Sequence, residues 1–201
     1  MKGCRPVNKE EFIRIVNSFH GNFAVRNKAL FVFGCFTGYR ISEILSIHRG
    51  DVIGQDGKIV ESVTVQKKYM KGKLNSRTVF LNDTVKKYLS PWLKEQERKG
   101  YLRIECPLFC SSGGRKMDRV TAWRILKNAF CLAGVYGKVA THTMRKTFAN
   151  GIYFFYEGKK DALRIVSKAL GHKSIDSTDR YLTFIEEDIT RAISGMEEMD
   201  R

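Results

Sequence analysis

Residues Asn27 to Phe36 read Asn-Lys-Ala-Leu-Phe-Val-Phe-Gly-Cys-Phe, a nearly continuous apolar run that fits neither a one-faced surface helix nor a half-exposed strand. Such a segment is buried, and the rest of the fold must be arranged around it. The run leads into Thr37-Gly38-Tyr39-Arg40-Ile41-Ser42-Glu43, after which Ile44, Leu45 and Ile47 continue the apolar side. Two buried helical pieces broken near Gly38 are expected.

Around them the chain reads mainly as amphipathic helices. Asn8 and Glu11 have capping-box spacing, followed by Phe12, Ile15, Val16 and Phe19 at helical intervals. Lys58 to Val65 is rich in Ile and Val, Arg77 to Leu81 alternates polar with apolar, and the basic stretch between them holds Gly72 and Asn75, which predicts a hairpin with a cationic tip. Further helices are predicted over Asp83–Arg98, Asp118–Leu132, His142–Tyr156, Asp161–Leu170 and Glu186–Met196, with Gly100, Gly134 and Gly171 as stops. The expected class is α+β, mostly helical, with one small antiparallel β-sheet, and residues 1–201 are expected to form one domain.

Length and a 43% hydrophobic content suit one globular core. No run approaches about 20 apolar residues, and Met1 to Pro6 lacks the apolar centre of a secretory signal, so a cytoplasmic, nucleoid-associated protein is expected. Lys and Arg number 36 against 21 Asp and Glu, a formal charge of +15, which favours a polyanionic partner, nucleic acid ahead of an anionic membrane. The five cysteines form no Cys-x-x-Cys pair, so buried thiols are expected. Cys106 and Cys110 with His20 or His48 are zinc donors in principle, but no pair sits at a usual ligand spacing, and no metal is expected.

Three clusters combine cations with proton carriers: Arg40 with Glu43, His142 with Arg145, and Leu170-Gly171-His172 followed nine positions later by Tyr181. A Leu-Gly-His with a tyrosine at one set distance arises by chance about once in a thousand chains of this length. Thr-Gly-Tyr-Arg-Ile-Ser-Glu-Ile (37–44), His-Thr-Met-Arg-Lys-Thr-Phe (142–148) and the Leu-Gly-His to Tyr181 segment resemble, in order, the first arginine box, the His-x-x-Arg box and the nucleophile box of the tyrosine recombinase, or phage integrase, family. The resemblance runs from about Asn8 to Thr190 and implies the family's catalytic-domain fold.

It also implies the roles. Tyr181 is the expected nucleophile, forming a 3′-phosphotyrosyl bond, and Arg40, Arg145 and His172 are the expected donors to the phosphate. The residues suit this chemistry independently, because a phosphodiester gains charge in its five-coordinate transition state and needs fixed cationic donors. A free tyrosine has a pKa of about 10, so a base or a cationic setting must assist it, and His142 is the candidate base. In the family a hairpin lysine protonates the leaving 5′ oxygen. Lys71 is the first choice here, with Lys73 the alternative and Lys68 a poorer one, because Gly72 stands where many relatives carry lysine and Phe80 where proline is usual. Glu43, three positions after Arg40, is expected near it on one helical face, orienting it.

Taken singly, these features have ordinary structural explanations: a surface ion pair, a helix-terminal histidine, a half-buried tyrosine, a solvated turn. Two other functions compete, a DNA-binding regulator without strand transfer and a type IB topoisomerase-like enzyme. The leading reading is a site-specific recombinase or integrase on double-stranded DNA that needs no cofactor, since the phosphotyrosine bond stores the energy for religation. No N-terminal core-binding domain is expected ahead of the boxes in residues 1–201. That implies either a fragment or a compact form similar to fimbrial phase-variation invertases, with accessory DNA-bending proteins possible partners. Phe184, Ile185, Ile189, Ile193 and Met196 form a stripe expected to dock on a neighbouring protomer in a tetramer on two DNA sites.

Overall fold

The computed structural model describes residues 3–70, 76–171 and 178. Contacts divide the chain into two compact units, Met1–Phe148 and Ala149–Arg201. In the first unit, α1 (Lys9–Ser18) opens on a complete capping box: Asn8 Oδ1 accepts from the Glu11 N–H at 2.8 Å, and Glu11 Oε2 accepts from the Asn8 N–H at 3.2 Å. Arg5 grips the same Glu11 carboxylate through both terminal nitrogens, at 2.8 and 2.6 Å, so the chain entering α1 is pinned.

The apolar run becomes α2 (Ala24–Thr37), the centre of the unit. Leu30, Phe31, Val32 and Phe33 are all fully buried, each worth about 1.5–3 kcal/mol by transfer. Phe31 meets Phe12, Phe19 and Phe130, while Phe33 meets Phe109 edge-on. Against α2 packs α4 (Asp83–Arg98), capped by the Asn82 side chain, and α5 (Arg119–Leu132), capped by Asp118, packs against α1.

The short α3 (Ile41–Ile44) follows the break at Gly38, as expected. Strands β1 (Ser62–Val65) and β2 (Arg77–Phe80) pair antiparallel, with Val63 opposite Val79 and Val65 opposite Arg77. The first strand begins later than the Ile/Val-rich stretch from Lys58 suggests. Residues 52–60 form their own turn, in which the Gly54 N–H donates to Lys58 O at 2.8 Å and the Val60 N–H to Val52 O at 3.0 Å, so that backbone is not available to the ribbon.

Helix α6 (Thr141–Phe155) spans the boundary between the units. In the second unit α7 (Ala162–Leu170) buries Ala162, Val166 and Leu170 and stops at Gly171, whose φ of +66° is the left-handed conformation glycine favours. The predicted helix over 186–196 lies outside the described residues. Among the described residues no helix is long and apolar enough to cross a membrane.

Candidate active site

The site is built on the turn between α2 and α3. Helix α2 ends when Gly38 turns left-handed, φ +61°, with its N–H on Gly34 O at 3.0 Å. A Cβ on Gly38 would stand 2.2 Å from Cδ1 of Phe148, and one on Gly34 would stand 2.5 Å from Sδ of Met144. These two glycines let α6 approach the end of α2 closely. That approach delivers Arg145, which is 1% exposed and donates through Nη1 to Gly38 O.

Arg40 is the N-cap of α3, with extended φ and ψ of −69° and 152°, rather than a member of a helical face. Glu43 therefore reaches it differently than the three-residue spacing alone implies. Its carboxylate folds back as the return arm of a cap, accepting the Arg40 backbone N–H through Oε2 and the guanidinium Nη1 through Oε1, both at 2.8 Å. Glu43 is wholly buried, whereas the Arg40 side chain keeps 26% of its surface open. A buried carboxylate so paired fixes the arginine in one place and leaves part of the guanidinium for an incoming anion.

Two residues that sequence reasoning missed complete this turn. Tyr39 is 1% exposed, and its hydroxyl lies 2.9 Å from Val63 O and 2.6 Å from Arg77 O, so its single proton is shared between β1 and β2. Burial pushes its phenol above the ordinary value, which unfits it as a nucleophile. Arg77, the first residue of β2, is also buried. Its guanidinium carbon sits 4.2 Å from the Tyr39 ring centre, and Nη2 donates to Thr37 O at 2.5 Å. Arg77 stands two positions before Val79 and so on the same side of β2, turned inward.

His142 lies on the first turn of α6, exposed, three residues before Arg145 and so on the same side of the helix. The structure thus brings Arg40, Glu43 and Arg145 to one turn and sets His142 one helical turn from Arg145. Lys68 stands on an exposed 3-10 turn, Lys67–Tyr69, with Nζ 4.9 Å from the Tyr69 ring centre. Lys71, Lys73, His172 and Tyr181 lie outside the described residues.

Comparison with known proteins adds the lineage. The model of the phage integrase family matches residues 6–187. The chain is 32% identical over 189 residues to the probable integrase/recombinase YoeC of Bacillus subtilis (strain 168), spanning 94% of this chain and 93% of that one. It is 31% identical to tyrosine recombinase XerD of Oceanobacillus iheyensis over 87% of this chain but only 56% of that protein. The fold is shared with the crystal structure of XerA recombinase, with a TM-score of 0.73 at 22% identity over 96% of this chain and 66% of that one. It is shared also with XerH site-specific recombinase bound to a difH substrate in a pre-cleavage complex, with a TM-score of 0.67 at 25% identity over 94% and 53%. The chain therefore spans nearly all of one curated relative and about half of the XerD and XerH proteins. With three boxes in order, a helical fold around one small ribbon and a family match over most of its length, this chain belongs to the phage integrase family, the tyrosine-type site-specific recombinases.

Proposed function

We propose that this chain cleaves and rejoins double-stranded DNA one strand at a time, through a 3′-phosphotyrosyl bond to Tyr181. The observation that carries the reading is the convergence of Arg40 and Arg145 on one turn, with the first held by a buried carboxylate. Two preorganised cations at one point suit a phosphate whose charge grows in the transition state, and each such donor is worth on the order of 10²- to 10³-fold in rate.

In this mechanism the Tyr181 oxygen attacks phosphorus while His142 takes the phenolic proton. Arg40, Arg145 and His172 bind the non-bridging oxygens. The bond from phosphorus to the 5′ oxygen breaks, and that oxygen receives a proton from Lys71, with Lys73 the alternative donor. One phosphoester replaces another, so religation by an incoming 5′ hydroxyl needs no external energy source, nucleotide or metal. Glu43 orients Arg40.

Residues 1–201 act in this reading as one catalytic domain, working in the cytoplasm on nucleoid DNA. The charge of +15 supports a grip on the phosphate backbone that weakens as salt rises. Strand exchange takes four copies around two duplexes, joined through the stripe Phe184, Ile185, Ile189, Ile193 and Met196, with DNA-bending accessory proteins assisting. The test is incubation with a nicked suicide duplex carrying candidate sites, read on a denaturing gel. A covalent protein–DNA band is expected; DNA binding with no such band over a full panel of sites would leave a regulator without strand transfer. Relaxation of supercoils without partner exchange would instead indicate a topoisomerase-like enzyme.

A further inference from the structure

We infer that Arg77 is a positioning residue for the phosphate-binding arginine Arg40, locking the turn between α2 and α3 to the β-ribbon. The inference rests on the recombinase reading above and assigns a part to a residue outside the three boxes.

The C-terminal carbonyls of a helix lack intrahelical partners and carry the negative end of its dipole. At the end of α2 two successive carbonyls are taken by two buried arginines, Thr37 O by Arg77 and Gly38 O by Arg145. Arg40 follows two residues later. Tyr39, between them, is held on one side by the guanidinium of Arg77 stacked on its ring and on the other by its hydroxyl at the Val63 and Arg77 carbonyls. Arg77 also lies within electrostatic reach of both Glu43 and Arg40. Thr37, Gly38 and Tyr39, the residues that lead into Arg40, are thus tied to α6 or to the β-ribbon, and the Arg77 side chain is the tie from β2 to Thr37 and the Tyr39 ring. Its guanidinium donates to Thr37 O and stacks on the ring of Tyr39, so its effect on the phosphate is assigned to pass through Arg40.

Without Arg77 the Thr37 carbonyl, itself buried, loses a charged donor, and the ring of Tyr39 loses its stacking partner. The turn then shifts, and a displacement of about 1 Å at a catalytic group costs on the order of 100-fold in rate. Lysine at this position keeps the charge but has no planar fork to stack and donate at once.

The test compares single-turnover cleavage of a nicked duplex by wild type, Arg77→Met and Arg77→Lys, with duplex binding and melting measured on the same proteins. Arg77→Met is expected to slow cleavage on the order of 10- to 100-fold while site binding stays within a few-fold, with Arg77→Lys between the two. Should Arg77→Met fail to fold, Arg77→Lys carries the comparison. A 5′-bridging phosphorothiolate, whose sulfur leaves without protonation, should leave the defect in place, because the hairpin acid is not what has been lost. Placed in an Arg40→Lys background, Arg77→Met should cost at most a few-fold further, as coupled residues do. An undiminished cost in that background, rescue by the phosphorothiolate, wild-type cleavage, or binding that falls in step with cleavage would each overturn the inference. If wild type itself forms no adduct, the recombinase reading has failed, and this inference with it.

Discussion

Glu43→Gln probes the device that holds Arg40. The carboxylate accepts twice, from the Arg40 backbone N–H and from its guanidinium, both at 2.8 Å, in a position with no exposure to solvent. A carboxamide of the same shape accepts only through its oxygen, so one of the two Arg40 donors must face an NH2 group. Losing one hydrogen bond to a charged group costs about 1.5–3 kcal/mol. Felt wholly where Arg40 meets the phosphate, at about 1.4 kcal/mol per tenfold, that slows cleavage roughly 10- to 150-fold. Felt wholly by the fold, it lowers the melting temperature by about 3–12 °C for a chain of this size. Single-turnover adduct formation on a nicked duplex and thermal melting of the same preparation divide the cost between the two, while duplex binding should stay within a few-fold. Cleavage within twofold of wild type together with an unchanged melting temperature would refute the reasoning.

Other outcomes follow from the same geometry. Gly38→Ala must adopt a φ near +61° and displace the Phe148 ring, at a combined cost of about 2–5 kcal/mol, and should lower melting by more than about 4 °C; an unchanged melting curve would mean that the α2–α6 approach is not tight. Lys71→Ala should slow cleavage strongly, and a 5′-bridging phosphorothiolate should restore it, while Lys73→Ala mainly weakens binding; rescue of Lys73→Ala alone would exchange the two roles. Deleting the residues after Glu186 should leave single-site binding within a few-fold but reduce two-duplex complexes and recombination together, as read on native gels. An unchanged yield of the two-duplex complex would assign the tail to its own domain.

Much of the fold was legible because its punctuation is local. The Asn8/Glu11 box, the break at Gly38 and the stop at Gly171 each depend on residues within a few positions of one another. Where partners come from far along the chain, the reading fell short. Helix α2 begins at Ala24, ahead of the apolar run, because Arg26 is buried there: it donates to Cys110 O at 2.8 Å and to Asn27 Oδ1, and burial pushes its pKa down to about 10. A charged residue beside an asparagine looks like a loop until a distant carbonyl receives it. Arg40 at an N-cap rather than on a helical face is a matter of backbone dihedrals that a three-residue spacing leaves open. Arg77 was missed because its partners, Thr37 and Tyr39, come from another element, and a basic residue next to a cationic turn reads as surface. Arg40, Glu43, His142 and Arg145 were found as candidates from their boxes alone, and their mutual arrangement came only with the fold.

The central claim is that Tyr181 becomes bonded to the 3′ end of the cut strand. It is tested most directly by trapping the adduct on a nicked suicide duplex, digesting it with protease and nuclease, and locating the modified residue by mass spectrometry, with Tyr181→Phe run alongside. The account predicts a nucleotide joined through its 3′ phosphate to Tyr181, and no adduct from Tyr181→Phe despite duplex binding within a few-fold of wild type. A nucleotide on any other residue, a 5′ linkage, or an undiminished adduct from Tyr181→Phe would contradict it.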